Sequence, residues 1–147
     1  GLRAMAGVYA GWALSQRFYR QNLWEKAGYS SLEDYFVGDW ERNFRRRDAN
    51  DLLAQLRTWS ACDLSSCVEF AGDLELALGS IKAQAVIMPC EQDMYFRVAD
   101  NAVEMRSLSR GELRPFASPW GHRAGNPVFS PDDEQFLRDT VQVLLAS

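Results

Sequence analysis

"AQAVIMPC", residues 83–90, decides how this chain folds. It is a short apolar run with β-branched Val86 and Ile87 inside it, and the polar cluster "EQD" follows directly. Such a run reads as a strand buried on both faces, the kind found in parallel sheets. Downstream, a helix-like stretch extends from Val98 to Leu108, and "GELRPFAS", residues 111–118, is the next strand. Pro115 within it favours an edge position or an irregular end, because proline cannot donate to a ladder. The last segment is "SPDDEQFLRDTVQVLLA". Ser130 is placed to cap a helix, Pro131 takes its first position, and Asp132, Asp133 and Glu134 complement its dipole. Phe136, Val141, Leu144 and Leu145 give that helix an apolar face. The order strand, helix, strand, helix predicts parallel strands with a right-handed crossover. Parallel sheets are covered on both faces and need more neighbours than this. Partner strands are therefore expected from a missing segment or from another chain.

Upstream of the first strand the pattern is helical. "LRAMAGVYAGWALSQRFYRQNLW" sets Met5, Val8, Tyr9, Trp12, Phe18 and Tyr19 at mostly three- and four-residue spacings, which predicts one amphipathic helix. "GYSS" breaks it, and Ser31 with Asp34 resembles a capping box before "LEDYFVGDWERNF". Asp48 with Asp51 marks another start, ahead of "LLAQLRTW". Three aromatic-rich helices are thus expected between residue 1 and about residue 62, a composition that suits a cap over a ligand cavity.

The bulk composition narrows the function classes. The chain has 147 residues, 47% hydrophobic and 24% charged, which fits one globular domain. Its net charge of −4 argues against nucleic-acid binding, which needs a basic surface. Arg45, Arg46 and Arg47 sit among acidic residues and read as a solvated helix end. Cys62, Cys67 and Cys90 lack zinc-ligand spacing, and one histidine cannot complete a metal set. Free thiols in a reducing cytoplasm are expected. No uncharged apolar run reaches the roughly 18–20 residues that span a bilayer, so no membrane partner is expected. The chain opens on Gly1 directly inside a helical pattern, which reads as a piece of something longer.

Chemistry is expected at the carboxyl ends of the two strands, where open α/β sheets gather their functional groups. "CEQDMYF" follows the first strand with Glu91 and Asp93, and "WGHRAG" follows the second with His122, the one histidine. Neighbouring parallel strands would bring those loops to one edge. A carboxylate on one ring nitrogen fixes the tautomer and leaves the other nitrogen to take a proton from a nucleophile. The nucleophile itself is missing: no G-x-S-x-G occurs, and "GYSSL" lacks the final glycine. Cys90 reads as a small apolar core residue. Ser118 lacks the strand-to-helix elbow that exposes an attacking hydroxyl.

These features together resemble the C-terminal half of an α/β-hydrolase, and more narrowly the homoserine O-acetyltransferase group with its esterase-like relatives. "RRRDANDLLAQLRTWSACDL" is similar to that family's last lid segment, and "ALGSIKAQAVIMP" to its lead into the acid strand. The resemblance implies a helical lid over residues 1–72 and a core portion over residues 73–147, with the serine elbow upstream of this chain. By position it implies Asp93 as the triad acid, Glu91 as the weaker claimant, and His122 as the general base. It also implies acyl transfer through a serine ester, with acetyl-CoA or another acyl donor as co-substrate and no cofactor. Expected partners are a small-molecule ester or acyl acceptor, the missing N-terminal core segment or a chain that supplies it, and optionally a second copy in a homodimer. The family's histidine is typically followed by an aspartate for the substrate amine. Arg123 stands there instead, and a cation repels an ammonium. Arg123 is then a candidate for binding a substrate carboxylate, and an esterase or another acceptor is favoured. The contrasting expectation, from a different class, is a non-catalytic fragment or subunit that works as an interaction module.

Overall fold

A computed structural model describes residues 1–146. The helical first half comprises α1 (Leu2–Ala13), α2 (Gln16–Arg20), α3 (Leu32–Tyr35), α4 (Arg42–Arg45), α5 (Ala49–Ala61) and α6 (Leu74–Gly79). A π-helical segment, Phe36–Glu41, joins α3 to α4. The second half runs β1 (Ala85–Ile87), α7 (Val98–Glu104), β2 (Gly111–Leu113), a 3-10 turn at Gly121–Gly125 and α8 (Pro131–Leu145). The two strands are parallel, with Ala85, Val86 and Ile87 opposite Gly111, Glu112 and Leu113. The expected order of strand, helix, strand, helix is therefore present.

The ladder outlasts the short strands. Arg114 N donates to Ile87 O at 2.8 Å, Phe116 N to Pro89 O at 3.1 Å, and Glu91 N back to Phe116 O at 2.9 Å. Residues 114 and 116 face β1, so Pro115 lies at the alternate position, where no donor to β1 is required. That is why proline is tolerated here. Among the described residues the sheet has these two strands, so β1 has a strand neighbour on one edge alone.

Three helical expectations are corrected. The single helix expected over residues 2–24 breaks at Leu14, whose backbone is extended. Ser15 then caps α2 by accepting from Phe18 N at 3.0 Å. The buried face of α1 is not the large-residue stripe but Ala6, Ala10 and Ala13; Met5, Val8 and Trp12 are exposed. Small residues let the α1 backbone approach its neighbours closely, and an added Cβ on Gly7 would already touch the Phe36 ring at 3.6 Å. At α8, Ser130 occupies the cap position without a side-chain bond, although Pro131 and the acidic first turn are as expected. The caps at Ser31 and Asp48 form: Ser31 accepts from Asp34 N at 3.0 Å, and Asp48 from Asn50 N at 2.7 Å.

One apolar core joins the two halves. Phe18, Tyr35, Trp40 and Phe44 from the helices pack in the same cluster as Cys90, Phe116, Trp120 and Ala124. Phe18 meets Trp120 edge-on at 5.1 Å, and Phe116 stacks on Phe136 of α8 at 4.8 Å. Side chains of this size each contribute about 1.5–3 kcal/mol when fully buried. The loop after β2 is thus seated against the α1–α2 junction. Among the described residues no helix is long and apolar enough to cross a membrane.

Candidate active site

Asp93 lies in the turn after β1, and both of its carboxylate oxygens are engaged. Its amide donates to Cys90 O at 3.0 Å, which closes the turn. Oδ1 accepts from Tyr95 N at 2.7 Å and Phe96 N at 3.2 Å. Those two bonds fix the side chain, so that Oδ2 faces Nδ1 of His122 at 3.0 Å. A carboxylate only accepts, so Nδ1 is the donor in this contact and Nε2 is the nitrogen left for other partners. The Asp93 side chain is 9% exposed and the imidazole 27%, so the ring retains an accessible edge. Glu91, the other acid considered, is exposed and is not a partner of the imidazole.

The loop that carries His122 is held from several sides. Gly121 has φ of +55°, and an added Cβ would lie 3.1 Å from Ala13 O, 3.2 Å from Ser15 N and 3.3 Å from Gln92 O. Glycine therefore meets both a conformational and a spatial demand. Ser15 donates from Oγ to Pro119 O at 2.6 Å, fastening the loop to the α1–α2 junction. Tyr95, Phe96 and Tyr9 surround the imidazole, with ring centroids at 4.9, 5.4 and 6.4 Å. Burial, aided by Tyr9 and Asp93, raises the Tyr95 phenol above its ordinary value, so this wall is uncharged at neutral pH.

The resemblance makes Arg123 a candidate for binding a substrate carboxylate. Instead its guanidinium bonds to Asp39 of the π-helical segment, donates to Tyr35 Oη at 2.7 Å and lies 5.0 Å over the Trp40 ring. Burial lowers its pKa, but the bonds to Asp39 and Tyr35 more than offset this and the net shift is upward. A cation with a carboxylate partner inside the chain is satisfied without a ligand.

The other nucleophile candidates are sequestered. Burial pushes the Cys90 thiol up, away from the reactive thiolate, and Sγ is 3.4 Å from Ser118 O. Ser118 is 1% exposed, and its hydroxyl donates to Asp133 Oδ2 at 2.6 Å. Sequence patterns did not reveal Gln92, Asp133 or Ser15 as supports of the loop. A serine before a broken helix pattern could have marked Ser15 as a cap, but its second bond to Pro119 spans 104 residues and has no local signature. Among the described residues no group of three or more metal-ligating side chains is assembled.

No protein-family model matches the chain. It is 34% identical over 122 residues to a probable esterase of Corynebacterium glutamicum, and 33% identical over 122 residues to an ethyl acetate hydrolase of Pseudomonas veronii. Each match covers 83% of this chain and 34% of the relative, so the chain spans about a third of the length of these curated relatives. Among solved structures it superposes on the acetyl esterase MekB with a TM-score of 0.91 at 30% identity, over 99% of this chain and 41% of that one. An acetylester hydrolase from Corynebacterium glutamicum superposes with a TM-score of 0.88 at 29% identity, over 97% and 40% of the two chains.

Proposed function

This chain has the C-terminal part of an α/β-hydrolase fold, its last two parallel strands and their helices preceded by a helical lid, and from that premise we propose that it supplies the acid and base of a serine-type carboxylic-ester hydrolase. The observation that carries this reading is the Asp93–His122 hydrogen bond of 3.0 Å at the carboxyl ends of adjacent parallel strands. In the proposed arrangement residues 1–72 form the lid and residues 73–147 a core portion. The nucleophilic serine comes from a core segment outside these residues.

The reaction follows from the proton positions. Nε2 of His122 takes the serine proton as the hydroxyl attacks the ester carbonyl, and Asp93 stabilises the imidazolium that results. Nε2 then returns that proton to the leaving alcohol, and the acyl group remains on serine. Water attacks next and gives a proton to Nε2, which passes it to the departing serine oxygen, so serine and the neutral imidazole are regenerated as the carboxylic acid leaves. Water is favoured as the acceptor over homoserine. Arg123 stands where an aspartate would hold the homoserine amine, and it is paired with Asp39, so neither side chain is free to bind an ammonium group. The aromatic rings around the imidazole and the names of the relatives support small, uncharged acetyl esters as the substrate class.

The test uses the intact protein, with these residues joined to their upstream core, and p-nitrophenyl acetate. His122→Ala should lower kcat/KM by at least about 1,000-fold, and Asp93→Asn by roughly 1,000- to 10,000-fold. Glu91→Gln should stay within about twofold of the parent. Unchanged turnover in His122→Ala would remove the general base, and a large loss in Glu91→Gln with none in Asp93→Asn would transfer the acid role to Glu91.

A further inference from the structure

Ser118 ties the acid loop to the histidine loop, and every polar group it has is in use. Its amide donates to Gln92 Oε1 at 2.7 Å, one residue before Asp93. Its carbonyl accepts from the Cys90 thiol at 3.4 Å and from Gly121 N at 3.2 Å. Its hydroxyl accepts from Trp120 N at 3.2 Å and donates to Asp133 Oδ2 at 2.6 Å. Gly121 and Trp120 are the two residues before His122, so the turn that presents the imidazole is closed on Ser118. Asp133 holds the far end of this chain of bonds from the first turn of α8.

The burial of Asp133 is out of proportion to a capping role. It is 5% exposed, whereas Asp48 and Asp73, which cap α5 and α6 with their side chains, are exposed. An exposed carboxylate in a first helical turn already interacts with the dipole. Taking one out of water carries a desolvation cost that the surface caps avoid. Asp133 therefore does more here than end a helix. Without its acceptor the Ser118 hydroxyl is free to rotate, and the Trp120 amide loses an oriented partner.

We propose that Asp133 is a positioning residue: by accepting the Ser118 hydrogen bond, it holds the 118–122 turn in the register that brings His122 onto Asp93. The proposal rests on the ester-hydrolase reading for its kinetic consequence. A displacement of the imidazole by an ångström or so costs on the order of 100-fold in rate. The displaced group acts in the transition state, so the expected loss falls on kcat with KM little changed.

The experiment uses the intact protein, p-nitrophenyl acetate, thermal melting and proton NMR of the His122 Nδ1–H, assigned by its disappearance in His122→Ala. Ser118→Ala and Asp133→Leu should each lower kcat on the order of tenfold to 100-fold, with KM within about twofold. Asp133→Asn retains an acceptor and should keep most of kcat. Each single change except Asp133→Asn leaves a buried group without its partner, whereas removing both halves is close to neutral for stability. Ser118→Ala/Asp133→Leu should therefore melt above Ser118→Ala, short of the parent because the Trp120 amide stays unpaired, while kcat stays low and the downfield Nδ1–H signal is absent. A double variant that regains kcat and the signal along with Tm overturns the proposal, because the pair would then serve stability alone. Persistence of the signal in that variant overturns it whatever the rates. If the signal is lost there but His122→Ala hydrolyses the ester normally, the positioning stands and the ester-hydrolase reading falls.

Discussion

Gly121 sits one residue before the imidazole, and two separate demands fall on it. Its φ of +55° is in the left-handed region, and three backbone atoms crowd the place where a Cβ would stand. Gly121→Ala should destabilise the protein by on the order of 1–2 kcal/mol from the backbone conformation, with the crowding added to that. Gly125, four residues on in the same turn, has nothing within 4 Å of an added Cβ and serves as the control. Urea unfolding of both variants checks this: equal midpoints would mean that Gly121 is not constrained. Asp93 shows the same specificity at the other loop. Its two backbone bonds on Oδ1 leave Oδ2 a single orientation, which is why Asp93 and not Glu91 reaches the ring.

At the scale of elements, the helical half meets the histidine loop through the Arg123–Asp39 pair and the Trp40 face. Asp39 reaches that loop from a π-helical segment, whose wider turn re-aims the side chains that follow it. The pair is partly buried, with Arg123 30% and Asp39 19% exposed, so it is worth more than a surface ion pair and less than a fully buried one. Arg123→Ala and Asp39→Ala should each cost about 1–3 kcal/mol, and the double variant less than their sum. A double-mutant cycle by chemical denaturation measures this, and strict additivity would show that the two side chains do not interact. The family resemblance marks Arg123 as unusual for its position, but the partner lies 84 residues away and no local pattern links them. The buried face of α1 differs from the periodic stripe for a related reason. Spacing finds a periodic stripe of large apolar residues, whereas close approach to the π-helical segment selects the alanine side.

The whole molecule presents apolar surface that these residues do not cover. Trp59 is 63% exposed, Val103 58% and Leu145 80%, and β1 has a strand neighbour on one edge. The upstream core segment proposed above would cover surface of this kind and pair the open edge of β1. The isolated 147-residue chain should therefore bind the dye 1-anilinonaphthalene-8-sulfonate strongly and show no p-nitrophenyl acetate turnover above buffer. Adding the upstream segment in the same polypeptide should suppress the first and restore the second. Turnover by the isolated chain would place a nucleophile within these residues.

The sequence by itself determined the parallel strand order, the caps at Ser31 and Asp48, the proline at the start of α8, and the two loops where acid and base would emerge. Those features are local, set by periodicity, turn chemistry and the handedness of a crossover. Only the tertiary structure decided that Asp93 aims Oδ2 at His122, that Arg123 is satisfied by Asp39, and that Asp133 turns inward to Ser118. Each depends on side chains brought together across 15 to 84 residues, through hydrogen bonds whose energy depends on distance, direction and burial, none of which a linear pattern encodes.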